Sequence, residues 1–172
     1  MSNWFMLTLV GNDQPGIVAK ITNGLLNANC NLGEASMMRL GGNFTVMLMI
    51  NSEHPSEDIR KAMQSTCDDM SLTLHIDQIR GRLHQHHIPD VRVVVSGSDR
   101  AGIVAQVSQL LFDAGMDILD LNSDVAGTNE APIYIMQIEG LATQGIDSIE
   151  KAIDSLPKNI DVSVHPIETF VG

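Results

Sequence analysis

Aromatic side chains are scarce in this chain, with one Trp, one Tyr and four Phe among 172 residues. Stacking of bases on aromatic platforms therefore has little to work with. Positive charge is scarce as well. Ten Lys and Arg stand against 21 Asp and Glu, a formal net charge of −11, and such a surface repels a phosphate backbone. No basic stripe, zinc-finger spacing or RNA-binding aromatic motif offsets it, so direct nucleic-acid binding is not expected. The imbalance is uneven: 8 acids against 5 bases over residues 1–80 (−3), and 13 against 5 over 81–172 (−8).

Cysteine is limited to Cys30 and Cys67, which form no CxxC pair. Buried free thiols are expected rather than a disulfide or metal ligands. No apolar run approaches the ~18 residues of a membrane span, and no basic segment followed by an apolar one opens the chain. A cytoplasmic protein with no membrane contact is the expectation. Catalytic signatures are missing too: there is no G-x-S-x-G, no H-E-x-x-H and no phosphate-cradling G-x-x-x-x-G-K-[ST]. The chain is expected not to be an enzyme and to need no cofactor or metal.

What the chain has instead is a repeat. Gly11-Asn12-Asp13-Gln14-Pro15-Gly16-Ile17-Val18 is echoed by Gly97-Ser98-Asp99-Arg100-Ala101-Gly102-Ile103-Val104. Each copy follows an apolar run with strand character, Trp4 to Val10 and Val91 to Val95, and precedes apolar residues at helical spacing. Each is therefore a strand-to-helix turn, with its Asp placed to cap the helix and Pro15 tolerated where no N–H is needed. The glycine lets backbone approach backbone or a small ligand. Backbone N–H groups at a helix start suit an anion.

The repeat continues. In the first copy Ile17, Val18, Ile21, Leu25 and Ala28 share a helical face, and Asn29 is placed to close the helix in the left-handed conformation, as Gly115 is in the second. Leu32 to Leu40 and Phe44 to Ile50 read as a hairpin around Gly41-Gly42-Asn43. Ile118 to Ala126 and Pro132 to Ile138 repeat it, with a loop two residues longer. Helices over Ser56 to Asp68 and Asp147 to Leu156 follow, the latter stopped by Pro157, and the alternating Leu72-Leu74-Ile76 and Ile160-Val162-Val164 are closing strands.

Each half thus runs βαββαβ, an α+β ferredoxin-like pattern of four antiparallel strands with two helices on one face. Domains are expected over 1–80 and 90–172, joined by a linker over 81–89 that holds three of the six histidines. A unit of that size leaves one sheet face uncovered. Two units can pair edge to edge as a pseudo-dimer with one continuous sheet. The uncovered face and the acidic second half also suggest a homodimer or a basic partner patch. Asp117, Asp120 and Asp124 look like a carboxylate cluster, but strand alternation puts Asp117 opposite the other two, leaving a solvated acidic edge. Met37, Met38, Met47 and Met49 read as pliable core or interface packing.

Asp13-Gln14-Pro15-Gly16-Ile17-Val18 followed by Asn29-Cys30-Asn31-Leu32 resembles the ACT domain, a small-molecule-binding regulatory module, here in tandem. More closely, the chain resembles the glycine cleavage system transcriptional repressor family. The resemblance spans residues 4–167, and the second copy departs from it where Ala101 replaces the proline and Asp117 the asparagine. It implies a ligand site where the first turn of one domain meets the start of the second strand of its partner. In the first copy this gives Asn12, Asp13, Gln14, Pro15, Gly16 and Ile17, with Asn31 across. In the second it gives Ser98, Asp99, Arg100, Ala101, Gly102 and Ile103, with Asp117. The implied ligand is glycine or another small amino acid, and the implied partner is a DNA-binding transcription regulator. A detached regulatory subunit of an amino-acid-metabolising enzyme and an interaction module without ligand are the alternatives.

Overall fold

The computed structural model describes residues 2–80, 87–98, 102–128, 131–157 and 160–168. The backbone divides into two units, Met1–His84 and Gln85–Gly172. The first runs β1 (Asn3–Asn12), α1 (Ile17–Asn27), β2 (Asn31–Leu40), β3 (Asn43–Ser52), α2 (Ser56–Asp69) and β4 (Thr73–Ile79). The second repeats the order as β5 (Val91–Ser98), α3 (Ile103–Asp113), β6 (Met116–Thr128), β7 (Ala131–Ala142), α4 (Ile146–Ile153) and β8 (Ile160–Pro166). Strand orders are β2-β3-β1-β4 and β6-β7-β5-β8, with every pairing antiparallel. These are the two ferredoxin-like α+β domains that the repeat predicts.

Each sheet is covered on one side by its two helices, and the alternation of β1 shows why. Phe5, Leu7 and Leu9 are buried, while Trp4, Met6 and Thr8 on the other face are only partly so. Against the buried set lie Ile17, Ile21 and Leu25 of α1 and Ile59 and Met63 of α2. Each such side chain removed from water contributes about 2 kcal/mol. In the second unit Val91, Val93 and Val95 meet Ile103, Val107 and Leu111 of α3 and Ile149 of α4 in the same way. Both free cysteines are buried in the first core. Burial pushes both thiols up; a hydrogen bond with Ser52 partly opposes this at Cys30, while at Cys67 the Asp68 carboxylate adds to it and Arg60 offsets it.

Several local expectations hold. Asn29 and Gly115 take positive φ, 53° and 81°, just past α1 and α3. Gly41 and Gly42, at 56° and 76°, form the β2–β3 turn with the paired left-handed residues that suit strand twist. Others are corrected. Gly11 pairs with Phe44 and Gly97 with Tyr134, so the offset between copies grows from 86 in the first strand to 90 across the hairpin. The second hairpin is longer by four residues, not two, because two further pairs, Gly127 with Pro132 and Thr128 with Ala131, prolong the ladder. Helix α4 ends at Ile153, short of the expected Leu156.

A bulge overturns the reading of the aspartates. In β6 the register slips between Ile118 and Asp120, where Leu119 is the extra residue. Asp117 opposes Leu141, Asp120 opposes Glu139 and Asp124 opposes Ile135, so all three point to the open face. Strict alternation fails there because a bulge places two residues against one. Among the described residues, no group of three or more His, Cys, Asp or Glu could hold a metal ion, and no helix is long and apolar enough to cross a membrane.

Candidate functional site

The two helix starts are built alike around a glycine N-cap, and in the first the Asp of the turn does not cap the helix. Helix α1 begins at Ile17, and its N-cap is Gly16 at φ 79°, with no side-chain cap. Helix α3 begins at Ile103, and its N-cap is Gly102 at φ 97°, again without a side-chain cap. Asp13 does not cap because its groups are used elsewhere. Its N–H donates to the carbonyl of Gly42 at 2.9 Å, and its Oδ1 lies 3.2 Å from Nε of Arg39 on β2. Gln14 reaches the other way, its Nε2 donating to the carbonyl of Met70 at 2.8 Å. The turn is thus tied to the hairpin on one side and to the end of α2 on the other. Pro15 lies before the helix rather than in its first turn.

The consequence is an open, uncapped helix start. A side chain added at Gly16 or Gly102 would meet nothing within 4 Å, so their glycine identity answers to the positive φ and not to crowding. Neither first turn carries an acid. The first N–H groups of each helix lie at the positive end of the helix dipole, an end that suits a carboxylate.

Arg39 is a residue beside the turn that the motif did not name. It stands on β2 beside the first turn and is well exposed, at 60% of its side chain. Its counterpart in β6 is Val125, which opposes Tyr134 as Arg39 opposes Phe44. In the second turn an arginine, Arg100, instead occupies the place of Gln14. Each copy therefore has one arginine, on β2 in the first and within the turn sequence in the second, and the place of Arg39 beside its turn emerges only from the hairpin register. Asp99, Arg100 and Ala101 lie outside the described residues, as does the side chain of Ser98. Ile17 and Ile103 are buried and anchor their helices rather than facing the opening.

Asn31 lies far from its own turn. It opposes Asn51, which opposes Trp4 at the start of β1, whereas the turn follows Asn12 at the other end of that strand. Eight residues of strand separate the two ends, roughly 26 Å. Asp117, at the start of β6, opposes Leu141, which likewise lies past the end of β5 remote from Gly102. A single unit cannot offer both its turn and its Asn31 or Asp117 to one small ligand. Asn31 instead borders a polar cavity of about 400 Å³ with Asn29, Asn51, Ser52, Glu53 and His54. Ser52, the buried polar residue there at 2% exposure, accepts the N–H of His54 through its Oγ at 3.2 Å.

This fold and this turn have relatives. Residues 3–77, nearly the whole of the first unit, match the family model described as the ACT domain. Among individual proteins, the UPF0237 protein of Listeria monocytogenes serotype 4b is 27% identical over 85 residues, covering 46% of this chain and 96% of its own length. That of Methanosarcina mazei is 29% identical over 76 residues, covering 44% and 82%. Likeness of fold extends over both units. A crystal structure of a candidate glycine cleavage system transcriptional repressor superposes with a TM-score of 0.73 at 19% identity, covering 98% of this chain and 99% of that one. A protein of unknown function from Galdieria sulphuraria gives 0.71 at 18%, covering 98% and 100%.

Proposed function

We propose that this chain is a non-catalytic regulator that binds a small amino acid, glycine or one of similar size, at its glycine-capped turns. We propose further that it modulates transcription of glycine cleavage genes through a DNA-binding protein partner. The carrying observation is the repeated helix start, with Gly16 and Gly102 left-handed, without a side-chain cap among the described residues, and with nothing within 4 Å of an added Cβ. Helix N–H groups and Arg39 would receive the carboxylate, with Asn or Asp oxygens from the start of β2 or β6 of another unit receiving the ammonium. The separation of turn and strand start within a unit means that such a site requires two units, from one chain or two.

Support for the transcriptional part comes from the likeness of fold to the candidate glycine cleavage system transcriptional repressor. A net charge of −11 argues for action through a protein rather than by gripping DNA. Ligand would act by favouring one arrangement of units, and only to the extent of its differential affinity for it. Calorimetric titration of glycine, serine and alanine tests the sensing step, and saturable heat with at least one is expected. Pull-down from a native lysate tests the partner. Recovery of a transcription regulator supports the reading, whereas recovery of an amino-acid-metabolising enzyme favours a regulatory subunit instead. Tight binding to bare DNA at physiological salt in a gel-shift would overturn the indirect route.

A further inference from the structure

The end of the first unit remote from its turn holds a polar cleft of two lobes. One is the cavity of about 400 Å³ bordered by Asn31 and Asn51, with Glu53 on its wall. The other, of about 320 Å³, lies between the last residues of α1, Asn27 and Ala28, and the first turns of α2, with Asp58 on its wall. The lobes adjoin at Asn29 and His54, which line both. The polar groups are not engaged with one another: the side chains of Asn29, Asn31, Asn51, Glu53, His54 and Asp58 make no hydrogen bond or ion pair among the described residues.

The fold does not require such a cleft. In the second unit the places of Asn51, Ser52 and His54 are taken by Leu141, Ala142 and Gln144, and that of Asn29 by Gly115. Gln144 lies against that glycine, where an added side chain would meet its Cγ at 2.6 Å, and the Thr143 hydroxyl donates to the Gly115 carbonyl at 2.6 Å. The second copy thus fills with Gln144 the space that the first leaves open.

The lining also selects a charge. Among the described residues no Lys or Arg borders either lobe, and each lobe holds one carboxylate. Helix α1 brings its negative end to the second lobe with no basic residue in its last turn, while Glu57 and Asp58 offset the positive end of α2. An anion would meet repulsion here. An ammonium group, with three donors and no acceptor, would find carboxylate and carboxamide oxygens.

We propose that this cleft is a binding site for an organic diamine, with one ammonium group in each lobe. Glu53 and Asp58 take the two charges, and the carboxamides of Asn29, Asn31 and Asn51 accept the remaining N–H donors. One carboxylate per lobe is what favours two charges over one, since a monoamine leaves a carboxylate unpaired. The cleft shares only Asn31 with the proposed amino-acid site, and the test leaves Asn31 unchanged.

Calorimetric titration of the full chain with putrescine, butylamine and succinate at physiological salt tests it on wild type, Glu53→Gln, Asp58→Asn and Asn51→Leu. Asp147→Asn on α4 is the control for diffuse attraction to an acidic chain. Circular dichroism melts check folding, and Asn51→Leu, which installs the residue that the second copy carries there, decides should a carboxylate variant fail to fold. The expected result is saturable putrescine binding, roughly ten-fold tighter than that of butylamine and weakened roughly ten-fold by Glu53→Gln or Asp58→Asn. Asp147→Asn should leave it unchanged, and succinate should give no binding heat. Absence of saturable putrescine binding overturns the proposal. So does binding that no cleft variant weakens, that Asp147→Asn weakens as much, or that butylamine or succinate matches.

Discussion

The two halves of this molecule share strand order, helix placement and the glycine-capped turn, and differ most on the sheet face that no helix covers. In the first half that face carries four methionines among neutral polar residues, with Glu34 at the β2 bulge and Asp77 on β4; in the second the carboxylates lie on β6 and β7 and methionines are missing from its described residues. Cores are constrained by packing and turns by backbone conformation, whereas an open face answers only to what meets it. The halves therefore differ where packing constrains them least, and under the proposed function the matching helix starts would serve one chemistry twice.

The comparison can be broken first at the cores. Leu25 and Leu111 occupy equivalent places on α1 and α3, and both are fully buried. Leu25→Ala and Leu111→Ala should each cost about 2–5 kcal/mol, and chemical denaturation should show similar losses if the halves are equally packed. A marked asymmetry would show that one half leans on the other for stability. Next comes a site peculiar to the second half. A side chain at Gly140 would collide with the carbonyl oxygen of Asp117 at the β6 bulge. Gly140→Ala should lose about 1–3 kcal/mol, read by thermal melting, whereas the equivalent position in β3 holds the buried Ile50.

Smaller effects sharpen the likeness of the turns. Gly16→Ala and Gly102→Ala should each destabilise by about 1–2 kcal/mol from left-handed strain alone, since no neighbour is met; near-equal drops in melting temperature would confirm that the turns are alike. Arg39→Ala removes an exposed pair with Asp13 and should change stability by less than about 1 kcal/mol. It should weaken ligand binding at the first turn, and calorimetry would read the loss. Least in size is a pH effect confined to the first half, where both cysteines lie. Their thiols are held above the ordinary value, so the folded state disfavours thiolate. Stability should be unaffected below the unfolded thiol value of about 8.5 and should fall as pH rises beyond it. Denaturation at pH 7 and pH 10 should show the first half weakening more.

Most of the fold was legible because its signals are local. Apolar residues at helical spacing fixed α1 and α3, and Gly41-Gly42 fixed a tight turn. What was not legible depended on long-range pairing. The bulge at Leu119 turns Asp117 to the face of Asp120 and Asp124, and nothing in the alternation announces it. The extra hairpin pairs are equally invisible until strands are aligned. At the site, the repeated turn and its glycines stood out, but the capping role assigned to Asp13 did not hold, because Arg39 and the Gly42 carbonyl engage it from the neighbouring hairpin. Of the two readings of the methionines, core or interface packing, exposure of Met37, Met38 and Met47 at an edge and an open face removes the first for these three.

The account rests on the glycine-capped turns as amino-acid sites, and calorimetry with glycine and serine on wild type, Gly16→Ala, Gly102→Ala and the double variant tests it most directly. Saturable binding to wild type, reduced by each single change and abolished by both in folded protein, is the predicted result. Absence of binding to wild type, or binding untouched by the double change, would contradict it.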